Sequence, residues 1–222
     1  MRVVITGDST ASDYPADRAP RTGWGQALAS GFDLEVRNHA RPGASTRSFI
    51  DLGLFDAAIT DLRSGDVLLI CFGHNDPKPD ERYSSPDDFV SHLRLFLIAA
   101  RDRGATPVLL TPIERRRFAG NELETTHGEY PDRVRAVARD EDVALIDLTR
   151  ETHALWQSQG REGSKLSFLW LTPGSWPGYP EGEQDDTHLS AVGAALVAAL
   201  VAEGLVEVGI AASGDIPAGA RT

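Results

Sequence analysis

Cysteine is almost absent from this chain, and so are long apolar runs and any excess of basic residues. The single cysteine, Cys71, excludes an internal disulfide and a cysteine-rich metal site. Because it lies in an apolar run, we interpret it as part of the core. No stretch of the sequence has the roughly 18 or more consecutive apolar residues of a membrane-spanning helix. The net charge of −11 argues against nucleic acid and anionic membranes as partners, since both attract basic surfaces.

The sequence also lacks several motifs that would indicate other locations or chemistries. The amino terminus has no charged lead followed by an apolar segment, so we expect a cytoplasmic location, although removal of a signal would leave the same sequence. There is no G-x-S-x-G elbow, which disfavours α/β-hydrolase chemistry. There is also no Walker loop, which disfavours phosphoryl transfer.

What the chain does contain is an alternation of two apolar patterns. Short β-branched runs, typical of buried strands, are separated by longer stretches with helical spacing. The predicted strands are residues 2–6, 33–37, 66–72, 105–112 and 143–148, and the predicted helices are residues 22–30, 84–104, 127–141, 149–160 and 190–204. This alternation predicts an α/β fold with a mostly parallel five-stranded sheet. We expect one domain over residues 1–205 and a loose tail of small residues over 206–222.

Polar residues follow the predicted strands at the points where they end. Residues 7–9 (Gly-Asp-Ser) follow the first strand, Gly43 lies after the second, and residues 73–76 (Gly-His-Asn-Asp) follow the third. The carboxyl ends of parallel strands open on one edge of a sheet, where ligands bind. We therefore expect these three segments to meet.

A fourth polar cluster precedes the last predicted helix and contains Asp185 and His188. A serine hydroxyl is a weak nucleophile until a neighbouring base takes its proton, and histidine suits that role near neutral pH. A carboxylate three residues away in a turn can hold the imidazole in the right tautomer. These residues predict a catalytic set of Ser9, His188 and Asp185.

Such a set also needs donors for the oxyanion that forms when a carbonyl is attacked. The backbone N–H groups of Ser9 and Gly43 and the side-chain amide of Asn75 have the right chemistry. A glycine at position 43 would leave room for the ester carbonyl. A turn role for Gly43 and an Asx turn at Asn75 remain the simpler alternatives.

The blocks GDST, Gly43, GHND and DDTH, in this order, resemble those of the SGNH (GDSL-type) hydrolase superfamily. The four residues that give the family its name would be Ser9, Gly43, Asn75 and His188. The longer segments NHARPGASTRSF and LLTPIERRRF resemble the rhamnogalacturonan acetylesterase branch, which usually has Gly-Arg-Ser where Gly43-Ala44-Ser45 stands here. The resemblance covers residues 2–203.

The resemblance implies a three-layer α/β/α, flavodoxin-like fold and a reaction without metal or other cofactor. It implies release of acetate from acetylated sugars, so the expected partner is a small-molecule or oligosaccharide substrate. Asp8, His74 and Trp176 are candidates for substrate contact. The sequence makes no prediction of the oligomeric state.

Several of these residues also have simpler interpretations. His74 bonds the serine loop, touches substrate or only packs, and Trp176, like Trp170, stacks on sugar or holds down a loop. Residues 115–117 (Arg-Arg-Arg) are either a contact for an anionic sugar or a solvated run of charge. Asp186 is a rival to Asp185 that we expect to face solvent or a helix N-terminus.

Three functions are compatible with this pattern. The first is an acetylesterase acting on carbohydrates derived from pectin or xylan. The second is a lipase-like or thioesterase-like hydrolase of short acyl chains with the same fold. The third is a non-catalytic sugar-binding module, which the intact set of catalytic residues disfavours.

Overall fold

The computed structural model of the chain describes residues 1–212 and is built around strands that differ in length and burial. They are β1 (Arg2–Gly7), β2 (Glu35–Asn38), β3 (Val67–Cys71), β4 (Thr106–Leu110), β5 (Phe118–Ala119), β6 (Glu122–Leu123), β7 (Ala144–Ile146), β8 (Phe168–Leu171) and β9 (Glu183–Leu189). Five of them form a parallel sheet in the order β2-β1-β3-β4-β7. This is the flavodoxin-like order: the second strand lies on one side of β1, and the later strands are added on its other side.

Helices cover both faces of this sheet. They are α1 (Trp24–Gly31), α2 (Thr46–Asp51), α3 (Leu54–Asp61), α4 (Pro86–Asp102), α5 (Tyr130–Asp140), α6 (Leu148–Gly163) and α7 (Ala191–Glu207). On one face Trp24 of α1 and Trp156 of α6 share a buried cluster with α7. On the other, Phe49 of α2 and Phe96 of α4 share a second cluster with α5. The predicted three-layer α/β/α fold is therefore confirmed.

The elements form where local chemistry favours them. All residues of β1 and β3 are buried, as expected for central strands covered on both faces. The Ser85 hydroxyl accepts the Asp88 N–H at the start of α4, and Ser190 caps α7 in the same way. The predicted bounds of these strands and helices differ from the observed ones by three residues at most.

Besides the short pair of β5 and β6, two parts of the fold have no counterpart in the sequence prediction. Helices α2 and α3 fill the stretch between β2 and β3, which the sequence left unassigned. An antiparallel pair, β8 and β9, lies between α6 and α7. The second addition matters most, because the predicted turn with Asp185 and His188 is part of β9.

The carboxyl-terminal part also differs from its prediction. Helix α7 continues to Glu207 instead of ending at Gly204, and Ile210 and Ala211 pack against the first core cluster. The expected loose tail thus includes packed residues as far as 211, and its remainder, residues 213–222, lies outside the described residues. Over residues 1–212 none of the helices is long and apolar enough to cross a bilayer.

Candidate active site

Ser9 lies in a tight turn directly after β1. The Asp8 side chain shapes this turn, because its Oδ1 accepts the Thr10 N–H at 2.8 Å and the Thr10 hydroxyl at 2.9 Å. The Tyr14 hydroxyl donates to the Ser9 carbonyl at 2.7 Å, which fixes the turn from the other side. Ser9 itself is 8% exposed. Its hydroxyl is therefore held at the carboxyl edge of the sheet.

An irregular β8–β9 pairing brings the histidine to this serine. Phe168 pairs with Leu189, but the next residue, Leu169, pairs with Asp185, so residues 186–188 bulge out of the ladder. His188 Nε2 lies 3.0 Å from Ser9 Oγ, although 179 positions separate the two residues in the chain. A bulge in β9 therefore positions His188, where the sequence had predicted a turn.

Asp185 orients the His188 imidazole through Nδ1, the ring nitrogen that does not contact Ser9. His188 Nδ1 lies 2.6 Å from Asp185 Oδ2, and Asp185 Oδ1 accepts the N–H groups of Thr187 and His188. Burial acts to raise the pKa of Asp185, but these bonds and the charge of His188 outweigh it and lower the pKa to about 2. An ionised carboxylate only accepts, so Nδ1 carries the proton and Nε2 is free to accept from Ser9.

Three candidate donors for an oxyanion lie at Ser9 and in the loops that follow β2 and β3. Within residues 1–212 the backbone N–H groups of Ser9 and Gly43 have no acceptor. Asn75 Nδ2 donates one hydrogen to the Ala44 carbonyl at 2.8 Å, which places its amide next to Gly43 and leaves its second hydrogen unused. These are the groups that the sequence predicted as oxyanion donors, and that role stays a prediction.

The backbone of Gly43 gives a further reason for a glycine at this position. It has a φ of 81°, a left-handed conformation that favours glycine. A Cβ there would meet no protein atom within 4 Å, so the space beside it is open, and the expected need for room at the ester carbonyl stays a prediction.

Asp76 joins the segment after β2, which contains Gly43, to the segment after β3. Its Oδ1 accepts from both the N–H and the hydroxyl of Thr46, at 2.8 and 2.6 Å, and its Oδ2 accepts the Gly73 N–H at 3.0 Å. Burial raises the pKa of Asp76 to about 6 despite these bonds. The GHND block contains this residue, but nothing in the sequence gave Thr46 as its partner.

Asp8, in the serine turn, and His74, in the loop after β3, were both candidates for substrate contact, and both are buried. Asp8 is 1% exposed and His74 is 2% exposed. The His74 ring packs edge-on against His127, and its two nitrogens have no hydrogen-bond partner within the described residues. Burial lowers the pKa of His74 well below its ordinary value, and His127 and Arg115 lower it further. Of the three interpretations of His74, packing fits these contacts.

Asp186 and Trp170 contact each other and Arg116. Asp186 Oδ1 accepts from Arg116 Nη1 and from Trp170 Nε1, each at 2.7 Å, and its side chain is still 46% exposed, so it faces solvent in part. Trp170 belongs to β8 rather than to a loop, and the Arg116 guanidinium stacks on its ring. Trp176, in contrast, is exposed in the loop between β8 and β9. Only Trp176 of the two tryptophans is free to meet a ligand.

Tyr14 shapes the site and was not predicted from the sequence. Its hydroxyl holds the Ser9 carbonyl, and the Arg21 guanidinium lies over its ring. An aromatic residue five positions after a candidate nucleophile carries no signal by itself. Only the folded turn brings the two together.

Comparisons with known proteins show which family the chain resembles. The model of the GDSL-like Lipase/Acylhydrolase family matches residues 5–196. The rhamnogalacturonan acetylesterase RhgT of Bacillus subtilis (strain 168) is 47% identical over 214 residues, which cover 95% of this chain and 91% of that protein.

Two solved structures are also similar. The YxiM protein of Bacillus subtilis has a TM-score of 0.80 at 28% identity, and the match covers 94% of this chain and 57% of that one. The acetyl xylan esterase AlAXEase has a TM-score of 0.69 at 17% identity, with 92% and 100% of the two chains covered, which shows a shared fold. Together, the family match and the 47% identity show that the chain belongs to the GDSL-like lipase/acylhydrolase family.

Proposed function

We propose that this chain is a serine esterase that removes acetyl groups from acetylated carbohydrates. The observation that carries the proposal is the continuous hydrogen-bonded series from Ser9 Oγ through the His188 ring to Asp185, at 3.0 and 2.6 Å. Such a series activates a hydroxyl for attack on a carbonyl carbon. A non-catalytic sugar-binding module would have no need of it.

The reaction proceeds in two halves through an acetyl-enzyme. Ser9 Oγ attacks the acetyl carbonyl as His188 Nε2 takes its proton. The N–H groups of Ser9 and Gly43 and the Asn75 amide stabilise the oxyanion. His188 then gives the proton to the departing sugar hydroxyl. Water then attacks the acetyl-enzyme as His188 takes a proton from it, and His188 returns that proton to Ser9 Oγ as acetate leaves.

The substrate class follows from the relatives and from the exposed loop. RhgT is named a rhamnogalacturonan acetylesterase, and the extent of its match makes an acetylated pectic oligosaccharide the first substrate to test. Trp176 offers an exposed ring, in the loop between β8 and β9, on which a sugar can stack.

The experiment compares wild type with Ser9→Ala on p-nitrophenyl acetate, p-nitrophenyl octanoate and acetylated rhamnogalacturonan oligosaccharides. We expect rapid cleavage of the acetate, slow cleavage of the octanoate, and release of acetate from the oligosaccharide. Ser9→Ala should lose several orders of magnitude in kcat, because it removes the nucleophile.

Ser164→Ala is a suitable control, since Ser164 is also buried but lies at the end of α6. Equal rates for wild type and Ser9→Ala would overturn the esterase assignment. Faster cleavage of the octanoate than of the acetate would instead favour the lipase-like alternative.

A further inference from the structure

The β9 bulge, residues 186–188, contains the candidate catalytic base, His188. Bulged residues lie outside the ladder, so contacts other than strand pairing must fix their conformation. His188 Nε2 lies 3.0 Å from Ser9 Oγ. A displacement of the bulge by about 1 Å would misplace the base relative to the nucleophile. The contacts that hold the bulge therefore bear directly on the reaction.

Arg116, in the loop after β4, holds the bulge through both its backbone and its side chain. Its N–H donates to the Asp186 carbonyl at 2.9 Å, and its Nη1 donates to Asp186 Oδ1 at 2.7 Å. Over residues 1–212, the hydrogen bonds that the bulge receives from outside the β8–β9 hairpin come from Arg116 and Ser9. Arg116 thus fixes the first residue of the bulge, and Ser9 contacts the last.

The Arg116 guanidinium is itself fixed by partners from two further elements. It lies 4.7 Å from the centre of the Trp170 ring, and Trp170 Nε1 donates to the same Asp186 Oδ1 at 2.7 Å. Arg116 Nη2 donates to the carbonyl of Arg161 in α6. The Arg116 side chain is only 5% exposed. The guanidinium therefore joins β9, β8 and α6 at one buried point.

The three consecutive arginines have different environments. Arg115 Nη2 donates to the His74 carbonyl at 3.0 Å, in the loop after β3. Arg117 is exposed and pairs with Glu124 at 2.7 Å. A solvated position describes Arg117, whereas burial leaves Arg116 no surface to offer an anionic sugar. The buried pairing of Arg116 with Asp186 needs a different explanation.

Stability alone is a poor explanation for this pairing. Removing a guanidinium from water is costly, and well-packed apolar residues of similar volume often stabilise a fold equally well or better. A charge-assisted pair with fixed donors instead provides geometric specificity. Asp186 directly follows Asp185 and lies two residues before His188, so fixing its position also fixes theirs.

We propose that Arg116 is a positioning residue, whose contacts with Asp186 hold the β9 bulge so that His188 Nε2 stays within hydrogen-bond distance of Ser9 Oγ. This proposal rests on the proposed function, because it concerns the same catalytic set. Arg116 acts through Asp186 and contacts none of the reacting atoms.

The test measures kcat and KM on p-nitrophenyl acetate at a temperature well below the unfolding transition of every variant. Arg116→Gln removes the guanidinium and keeps the backbone N–H. We expect kcat to fall by about ten- to hundredfold with KM little changed, because the base is misplaced while the substrate still binds. Arg116→Lys keeps the charge but not the planar fork, so it should recover part of the loss.

Arg2→Gln is the matched control. The Arg2 side chain is 7% exposed and pairs with Asp61 at 2.6 Å, but it lies at the amino end of β1, opposite to Ser9. We expect this variant to have a lower Tm and an unchanged kcat. It shows what the loss of a buried arginine does when the bulge is left intact.

A double-mutant cycle with Asp186→Asn tests whether Arg116 acts through Asp186. Asp186→Asn keeps a side-chain oxygen for Arg116 and Trp170 but removes the charge, so we expect kcat to fall severalfold. Adding Arg116→Gln should then cost less in the Asp186→Asn protein than it does in wild type. Because Asp186→Asn preserves the shape of the side chain, it also carries the test if Arg116→Gln does not fold.

The contrary outcomes are distinguishable. Equal kcat values for Arg116→Gln and Arg2→Gln would overturn the positioning role, and so would additive effects in the cycle. An unchanged kcat for Asp186→Asn would overturn it where Arg116→Gln does not fold. Each of these leaves the esterase in place. No cleavage of p-nitrophenyl acetate by wild type would overturn the proposed function, and the positioning role with it.

Discussion

At the scale of single residues, each group around Ser9 is held by a second contact. Asn75 bonds the Ala44 carbonyl, Tyr14 bonds the Ser9 carbonyl, and Asp185 accepts two backbone N–H groups as well as the His188 ring. These contacts fix the donors and the base before substrate arrives. Preorganised dipoles of this kind need little rearrangement during the reaction.

Asn75→Ala tests one of these groups. It removes an oxyanion donor, so we expect kcat on p-nitrophenyl acetate to fall by about 10²–10³. It also removes the 2.8 Å bond to the Ala44 carbonyl, so the free energy of unfolding should fall by about 1 kcal/mol.

Gln157→Ala separates the two effects. The Gln157 amide donates to the Asn121 carbonyl at 3.0 Å and accepts the Leu123 N–H at 2.7 Å, so it joins α6 to the β5–β6 pair. We expect a comparable loss of stability from this variant with kcat preserved, measured by urea unfolding and initial rates. A kcat for Asn75→Ala within a few-fold of the Gln157→Ala value would rule out the oxyanion role.

At the scale of elements, the site depends on how the loops after neighbouring strands are joined. The buried Asp76 carboxylate accepts from Thr46 at the start of α2 and from Gly73 after β3. It therefore connects the loop that carries Gly43 with the loop that carries Asn75. A change in Asp76 is transmitted to both oxyanion loops together.

Asp76 also makes the stability of this junction depend on pH. Burial raises its pKa in the folded protein from 3.8 to about 6. The folded state therefore holds the proton more tightly than the unfolded chain, and the stability this provides is full below about pH 4 and lost as the pH rises through about 6. The total loss is about 3 kcal/mol at most.

Asp76→Asn has no such titration and provides the reference. We expect the difference in free energy of unfolding between wild type and Asp76→Asn to shift against wild type between about pH 4 and about pH 7. Urea unfolding of both proteins across this range measures it. A difference that stays constant with pH would contradict the raised pKa.

At the scale of the whole molecule, the catalytic set depends on contact between distant parts of the chain. Helix α1 packs against α7, and the start of α7 rests on the segment that leads into β8. At this contact a Cβ on Gly193 would lie 2.0 Å from the Ser167 carbonyl oxygen. Since His188 lies five residues before Gly193, this contact also positions the base.

Gly193→Ala should therefore damage stability and activity together. We expect a loss of about 1–3 kcal/mol or more in the free energy of unfolding, because the backbone of Ser167 must move. We also expect kcat to fall, since the movement shifts β9.

Gly31→Ala is the matched control for this substitution. Gly31 ends α1, and a Cβ there would meet nothing within 4 Å. Thermal unfolding should show little change or a small gain for this variant. Equal Tm values for Gly193→Ala and wild type would show that the close contact is absent in solution.

The sequence was sufficient to predict the parallel sheet and to propose the catalytic residues. It was not sufficient to predict the β8–β9 hairpin or the partner of Asp186. Strands such as β3 are continuous apolar runs, and parallel connection brings their polar ends to one edge whatever the loops do. The hairpin of β8 and β9 is different, because β9 is a polar segment whose pairing depends on a distant partner. The pairing of Asp186 with Arg116 is likewise a contact over 70 residues that no local pattern indicates.

The distance of 179 residues between Ser9 and His188 has a consequence during synthesis of the chain. At a ribosomal rate of 5–20 residues per second, the serine precedes its base by roughly 10–40 s. Over that interval the nascent chain carries an ordinary alcohol instead of an activated one. Covalent reactivity therefore begins only when the last strand pairs and α7 closes against α1, so the appearance of activity marks the completion of the fold.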